Sequence, residues 1–133
     1  MVFPEKICKL VADENYKIDN IGMSGSSVLI YEDKVLKIQE YNEESENEYH
    51  MLQYLYSKLP VPKVYAYEIS DGKSYLLMSK CAGEMSCSHE YMKNPGILCK
   101  LLVNGLKSLW GIDISDCPFA QGLSRKLVQA EYN

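Results

Sequence analysis

The sequence predicts an α+β fold: a five-stranded, mostly antiparallel sheet with one long helix, followed by two or three further helices. Three observations lead there. Short stretches rich in β-branched and aromatic residues, bounded by turn residues, fill most of the chain before Gly83. A single helical stretch interrupts them between Asn42 and Leu59. Beyond Gly83 the apolar residues fall three and four apart, and the strand pattern ceases.

In chain order, Ile7, Leu10 and Val11 at helical spacing behind Pro4 predict a short helix over 4–12. Tyr16 to Gly22 reads as a strand, Gly22 to Ser26 as a turn, and Ser27 to Tyr31 as the partner strand. Glu32-Asp33 turns the chain into a third strand, Lys34 to Gln39. Asn42 followed by Glu43 and Glu44 marks a helix start with acids in its first turn. That helix carries Tyr49, Leu52, Leu55, Tyr56 and Leu59 on one stripe and is expected to end just before Pro60. Pro60-Val61-Pro62 forces an extended connection. Val64 to Ile69 and Ser74 to Ser79 flank Asp71-Gly72 and read as a hairpin. After Cys81-Ala82-Gly83, a helix starting near Pro95 bears Ile97, Leu98, Leu101, Leu102, Leu106, Leu109 and Trp110. Ile112 to Pro118 is a loop, and a last helix begins around 122–124.

At 133 residues the chain suffices for one core. Its composition, 47% hydrophobic and 24% charged, is ordinary for a globular domain. A net charge of −4 offers no basic field for nucleic acid or an acidic membrane surface. No stretch approaches the roughly 18 apolar residues of a membrane span, and the first residues lack the apolar run of a signal peptide. The five cysteines are odd in number and form no C-x-x-C pair, which argues for reduced thiols and a cytoplasmic location rather than a metal site or disulfide framework. Eleven tyrosines against two phenylalanines is unusual, but no mechanism attaches to it.

The residues that carry chemistry lie in three places. Gly22-Met23-Ser24-Gly25-Ser26-Ser27-Val28 would let backbone N–H groups approach phosphate oxygens closely, because glycine and serine leave room. Alone, the motif equally suits a plain hairpin turn. Lys37, in Val35-Leu36-Lys37-Ile38, sits on a strand flanked by apolar residues. Alternation puts Val35 and Lys37 on one face, so an apolar ring can lie on Val35 while the amine reaches a phosphate. A solvated edge lysine is the alternative. Glu48 is the best carboxylate partner for Lys37, with Glu43, Glu44 and Glu46 also near. In this order and spacing the three features resemble the amino-terminal lobe of the protein-kinase-like fold, in which backbone and lysine hold nucleotide phosphates and a helix glutamate holds the lysine. The hairpin then ends in Leu76-Leu77-Met78-Ser79-Lys80-Cys81, where the linker between lobes belongs.

A closer resemblance lies in Lys58-Leu59-Pro60-Val61-Pro62-Lys63-Val64, Asp71-Gly72, Leu76-Leu77-Met78-Ser79 and Gly111-Ile112-Asp113-Ile114-Ser115-Asp116-Cys117-Pro118. These strings are similar to those of the aminoglycoside 3'-phosphotransferases, or kanamycin kinases, over nearly the whole chain. The resemblance implies MgATP-dependent phosphorylation of an aminoglycoside hydroxyl, and hence antibiotic resistance. It implies nucleotide contacts from Gly22, Ser24, Gly25 and Ser26, an α/β-phosphate contact from Lys37, and orientation of Lys37 by Glu48. It places the adenine edge on the Ser79 carbonyl and the Cys81 N–H, with Met78 behind it. Some members stack an aromatic ring on adenine where this chain has Val35, so apolar sandwiching is expected instead.

The greater departure concerns catalysis. The family takes its base from a His-Gly-Asp-x-x-x-x-Asn loop and its main magnesium ligand from a later Asp, and these 133 residues contain neither. The two histidines are His50, inside the predicted helix, and His89. Asp113 and Asp116 are expected to shape their loop and cap the next helix. The expectation is therefore an amino-terminal fragment, with residues 1–83 a nucleotide-binding lobe and linker and 84–133 the helical start of an incomplete carboxy-terminal lobe. Magnesium would have no ligand in it, the aminoglycoside would bind elsewhere, and turnover by this chain alone would be negligible. Uncovered leucines on helix 95–110 would favour self-association. The alternatives are a non-catalytic interaction module on the same scaffold, or the lobe of a kinase for another small molecule such as choline or homoserine.

Overall fold

The computed structural model describes residues 2–19, 25–83, 86–118, 127, 128 and 130–132. Its strands are β1 (Lys17–Asp19), β2 (Ser27–Ile30), β3 (Lys34–Glu40), β4 (Val64–Ser70) and β5 (Lys73–Ser79). They form one five-stranded sheet in the order β1-β2-β3-β5-β4, with every neighbouring pair antiparallel. With the helices this is the α+β architecture that the sequence predicts, consistent with a kinase-like amino-terminal lobe. The β4–β5 hairpin closes through Asp71 and Gly72, both at positive φ (50° and 71°), the geometry that suits an Asp-Gly turn to the twist of its strands.

Alternation gives the sheet two distinct faces. Leu29, Leu36 and Leu77 align across three strands and are fully buried. Tyr31, Ile38 and Tyr75 extend that face, which packs on Ile7 and Val11 of helix α1 (Glu5–Val11). On the opposite face, Val28, Lys37, Leu76 and Tyr67 form one cross-strand row, and Ile30, Val35, Met78 and Val64 form the next. A one-residue slip of β3 would exchange the two faces, so the leucine row fixes the side from which Lys37 projects.

Helix α2 (Glu43–Leu55) crosses from β3 to β4. Its start is chemically complete: the Ser45 N–H donates to Asn42 Oδ1 at 2.8 Å, and the Asn42 N–H donates to Ser45 Oγ at 3.1 Å. This reciprocal pair satisfies two backbone donors that the first turn would otherwise strand. Asn42→Ala is expected to lower the unfolding free energy by about 1 kcal/mol, while Asn42→Asp keeps most of it. Urea denaturation measures both, and equal stability of the alanine variant and the parent would count against the cap. The helix ends at Leu55, earlier than its apolar stripe suggests. The N–H groups of Lys58 and Leu59 both donate to the Leu55 carbonyl at 2.9 Å, because the residue before Pro60 is driven out of helical geometry and the last turn closes short of it. Tyr56 is consequently more than half exposed rather than part of a packed stripe.

Beyond the sheet the chain forms α3 (His89–Lys93) and α4 (Pro95–Trp110). Pro95 occupies the first turn of α4, where its missing N–H costs nothing. No described residue of α4 is buried, and Leu101, Leu102, Leu106 and Leu109 are each about half exposed. Residues 127, 128, 130 and 131 are helical, and the expected start of that last helix around 122–124 lies outside the described residues. Among the described residues no helix is long and apolar enough to cross a membrane. All five cysteines are free thiols.

Candidate functional site

Lys37 stands at the middle of β3, on the face opposite the leucine core. Its Nζ donates to Glu48 Oε2 at 2.8 Å and to Glu48 Oε1 at 3.0 Å. Their side chains keep 24% and 32% of their exposure, so the pair is half withdrawn from water yet open on one side. Two bonds to the carboxylate leave a third N–H donor on the ammonium for an incoming anion. A charge-assisted bond in this setting is stronger than one on the open surface.

Glu48 is held in its turn. Gln39 Nε2 donates to Glu48 Oε2 at 3.2 Å, from the same face of β3 as Lys37. Next along α2, Tyr49 stacks on Tyr67 of β4, with centroids 4.4 Å apart and planes 6° from parallel. Burial pushes the Tyr67 phenol up, with the Ser45 and Ser74 hydroxyls acting in the opposite sense. The other acids of the helix lie elsewhere: Glu46 accepts from Tyr41 Oη at 2.8 Å, and Glu43 and Glu44 are exposed in the first turn. Lys34, three residues before Lys37, serves another purpose. It bonds Glu14 at 2.8 Å and Asp33 at 3.0 Å, and these hydrogen bonds push its ammonium above the usual lysine range.

Gly22 and Ser24 lie outside the described residues. Gly25 is exposed, with no atom within 4 Å of where a Cβ would stand, and Ser26 is partly buried. The chain enters β2 at Ser27, which pairs with Ile38, and Val28 pairs with Lys37. Two residues along β3 in the other direction, Val35 pairs with Met78, and both are partly buried. Ser79 is fixed by a reciprocal pair with Lys63: its N–H donates to the Lys63 carbonyl at 2.8 Å, and its Oγ accepts from the Lys63 N–H at 2.9 Å. Cys81 is exposed, two residues beyond the end of β5. A cation and an apolar strip thus lie in sequence along one face of the sheet.

Among the described residues no group of three His, Cys, Asp or Glu side chains is arranged to hold a metal ion. His50 lies 3.8 Å from Glu46 on the solvent side of α2, and His89 is exposed at the start of α3. Asp113 shapes its loop as expected: its Oδ1 accepts from the Ser115 N–H at 2.9 Å, which holds its carboxyl below the usual range. The start of the helix that Asp113 and Asp116 are expected to cap lies outside the described residues, and Asp116 has a partner elsewhere. It accepts from Tyr54 Oη of α2 at 2.8 Å. Two contributions escaped the sequence reading. Gln39 was discoverable from strand parity with Lys37, but Tyr54 and Asp116 stand 62 residues apart and carry no local cue.

Comparison with known proteins finds no matching family model. It does find curated relatives, each an aminoglycoside 3'-phosphotransferase. The protein from Staphylococcus aureus is 36% identical over 118 residues, which cover 87% of this chain and 44% of that protein. The one from Enterococcus faecalis is 40% identical over 89 residues, covering 65% and 33%. The one from Niallia circulans is 29% identical over 143 aligned residues, covering 97% and 52%. The chain is thus a partial match to the aminoglycoside 3'-phosphotransferases and spans about a third to a half of the length of these relatives.

Proposed function

We propose that this chain is the amino-terminal part of an aminoglycoside phosphotransferase and supplies its grip on ATP. The observation that carries the reading is the Lys37–Glu48 pair, an oriented ammonium with a spare donor beside an apolar strip. In this reading Lys37 binds the α- and β-phosphates, Glu48 holds its direction, and backbone from Gly22 through Ser26 approaches the phosphates with Ser24 in contact. Val35 and Met78 sandwich the adenine, whose edge meets the Ser79 carbonyl and the Cys81 N–H. ATP supplies the γ-phosphoryl group that the whole protein would pass to an aminoglycoside hydroxyl. Magnesium would neutralise the phosphates through ligands outside the described residues. Residues 1–83 then form the nucleotide lobe and linker, and 84–133 begin a second lobe. The free thiols suit the cytoplasm. Helix α4, with apolar side chains uncovered around it, would bring copies of this chain together when produced alone.

Holding ATP is only part of phosphoryl transfer, which also needs positioned metal and an oriented nucleophile. The 133-residue chain is therefore expected to bind nucleotide without turning it over. Calorimetric titration with ADP, followed by an ADP-release assay with MgATP and kanamycin, tests both halves. Binding without release above a blank supports the reading. Turnover refutes the predicted inactivity, and absence of binding sinks the nucleotide site.

A further inference from the structure

Helix α2 is held on two sides. On the sheet side the Tyr49–Tyr67 stack and the bonds from Lys37 and Gln39 to Glu48 hold it. Near its end Tyr54 Oη donates to Asp116 Oδ1 at 2.8 Å and lies 3.4 Å from the Asp113 carbonyl oxygen. Lys58 Nζ adds a contact to Asp116 Oδ2 at 3.6 Å and sits 5.0 Å from the centre of the Tyr54 ring. The loop that offers Asp116 is itself braced by the Asp113–Ser115 turn and by the Cys117 N–H donating to the Ile114 carbonyl at 3.0 Å. A braced loop after α4 therefore clasps the carboxy-terminal end of the helix that carries Glu48.

Ser45 is the one buried residue of α2, so packing alone holds the helix lightly. Glu48 and Tyr54 are six residues apart, about 9 Å along the axis and about 120° around it. The clasp thus acts on a different side of the helix from Glu48. The hydroxyl bond to Asp116 pushes the Tyr54 phenol up to about 12 and holds the Asp116 carboxyl below its usual range, as expected when an ionised carboxylate is the acceptor.

The geometry points to Asp116 as a positioning residue: through Tyr54 and Lys58 it sets the roll of α2, and so the presentation of Glu48 to Lys37. The consequence for ligand binding rests on the nucleotide reading above. Exposed ion pairs contribute little to folding, and the Asp116 side chain is 66% exposed, so Asp116→Ala leaves the fold intact. What it changes is the orientation of the grip.

The test is a mutant cycle in the 133-residue chain, with ADP affinity and amide hydrogen exchange as readouts. Asp116→Ala and Tyr54→Phe should each weaken ADP binding about fivefold, a small coupling between distant groups, and together no more than either alone. In a Glu48→Gln background Asp116→Ala should have no further effect. An unchanged ADP affinity in Asp116→Ala, or an equal loss with and without Glu48, overturns the inference. If the parent chain binds no ADP, the nucleotide reading fails, and exchange still decides the clasp. Faster exchange of the α2 amides in Asp116→Ala supports it, and identical exchange overturns it.

Discussion

Lys37→Ala is expected to weaken ADP binding by about 10- to 100-fold, the loss that follows when a hydrogen bond to a charged group is removed. Two effects act together. The phosphates lose their ammonium, and Glu48, which now accepts 2.8 and 3.0 Å bonds from it, is left as a half-exposed anion facing them. Lys37→Arg keeps the charge but not the shape, since a planar guanidinium cannot reproduce a point contact between Glu48 and a phosphate, so an intermediate loss is expected. Glu48→Gln should cost less than Lys37→Ala, because the amide oxygen still accepts one bond and the ammonium survives. Calorimetry at one fixed ionic strength is required, as salt screens the exposed part of the interaction. ADP affinity indifferent to Lys37→Ala would remove the basis for placing phosphates on this face.

The elements were legible where local chemistry dictates them. Asp71-Gly72 specifies its hairpin, Asn42 specifies the start of α2, and alternation in Val35-Leu36-Lys37-Ile38 specifies which side chains share a face. The partner of Lys37 was only partly legible, since four glutamates precede or follow one another within six positions of the helix. The structure separates them by direction: Glu48 turns to the sheet, and Glu46 bonds Tyr41. The apolar spacing overruns the end of α2, which comes at Leu55 rather than just before Pro60. Tyr56 and Leu59 continue the helical spacing, but the restriction before Pro60 acts on the backbone and outweighs the pattern of side chains. Asp116 shows where local reading stops, since the start of the helix that it and Asp113 are expected to cap lies outside the described residues. The partner that the structure gives it, Tyr54, comes from another element and could not be seen from neighbouring residues.

Leu36→Ala is expected to cost about 3 kcal/mol of unfolding free energy, within the range for leucines removed from closed cores. Leu36 is fully buried between Leu29 and Leu77, themselves fully buried, on the central strand of the sheet. No neighbour can move in without leaving its own strand position, so the cavity persists. Against a total stability of about 5–15 kcal/mol for a chain of this kind, the change is large. Leu101→Ala on α4 provides the contrast: half exposed, it should cost less than about 1 kcal/mol. Urea denaturation followed by circular dichroism measures both, and comparable losses at the two positions would mean that the leucine row is not the core. The same substitution also bears on the grip. Leu36 and Lys37 are adjacent on β3 and point to opposite faces, so the packing of one is what commits the other to the side where Glu48 waits. Leu36→Ala is therefore expected to weaken ADP binding as well, though less than Lys37→Ala. It loosens the strand that aims the ammonium while leaving the ammonium in place.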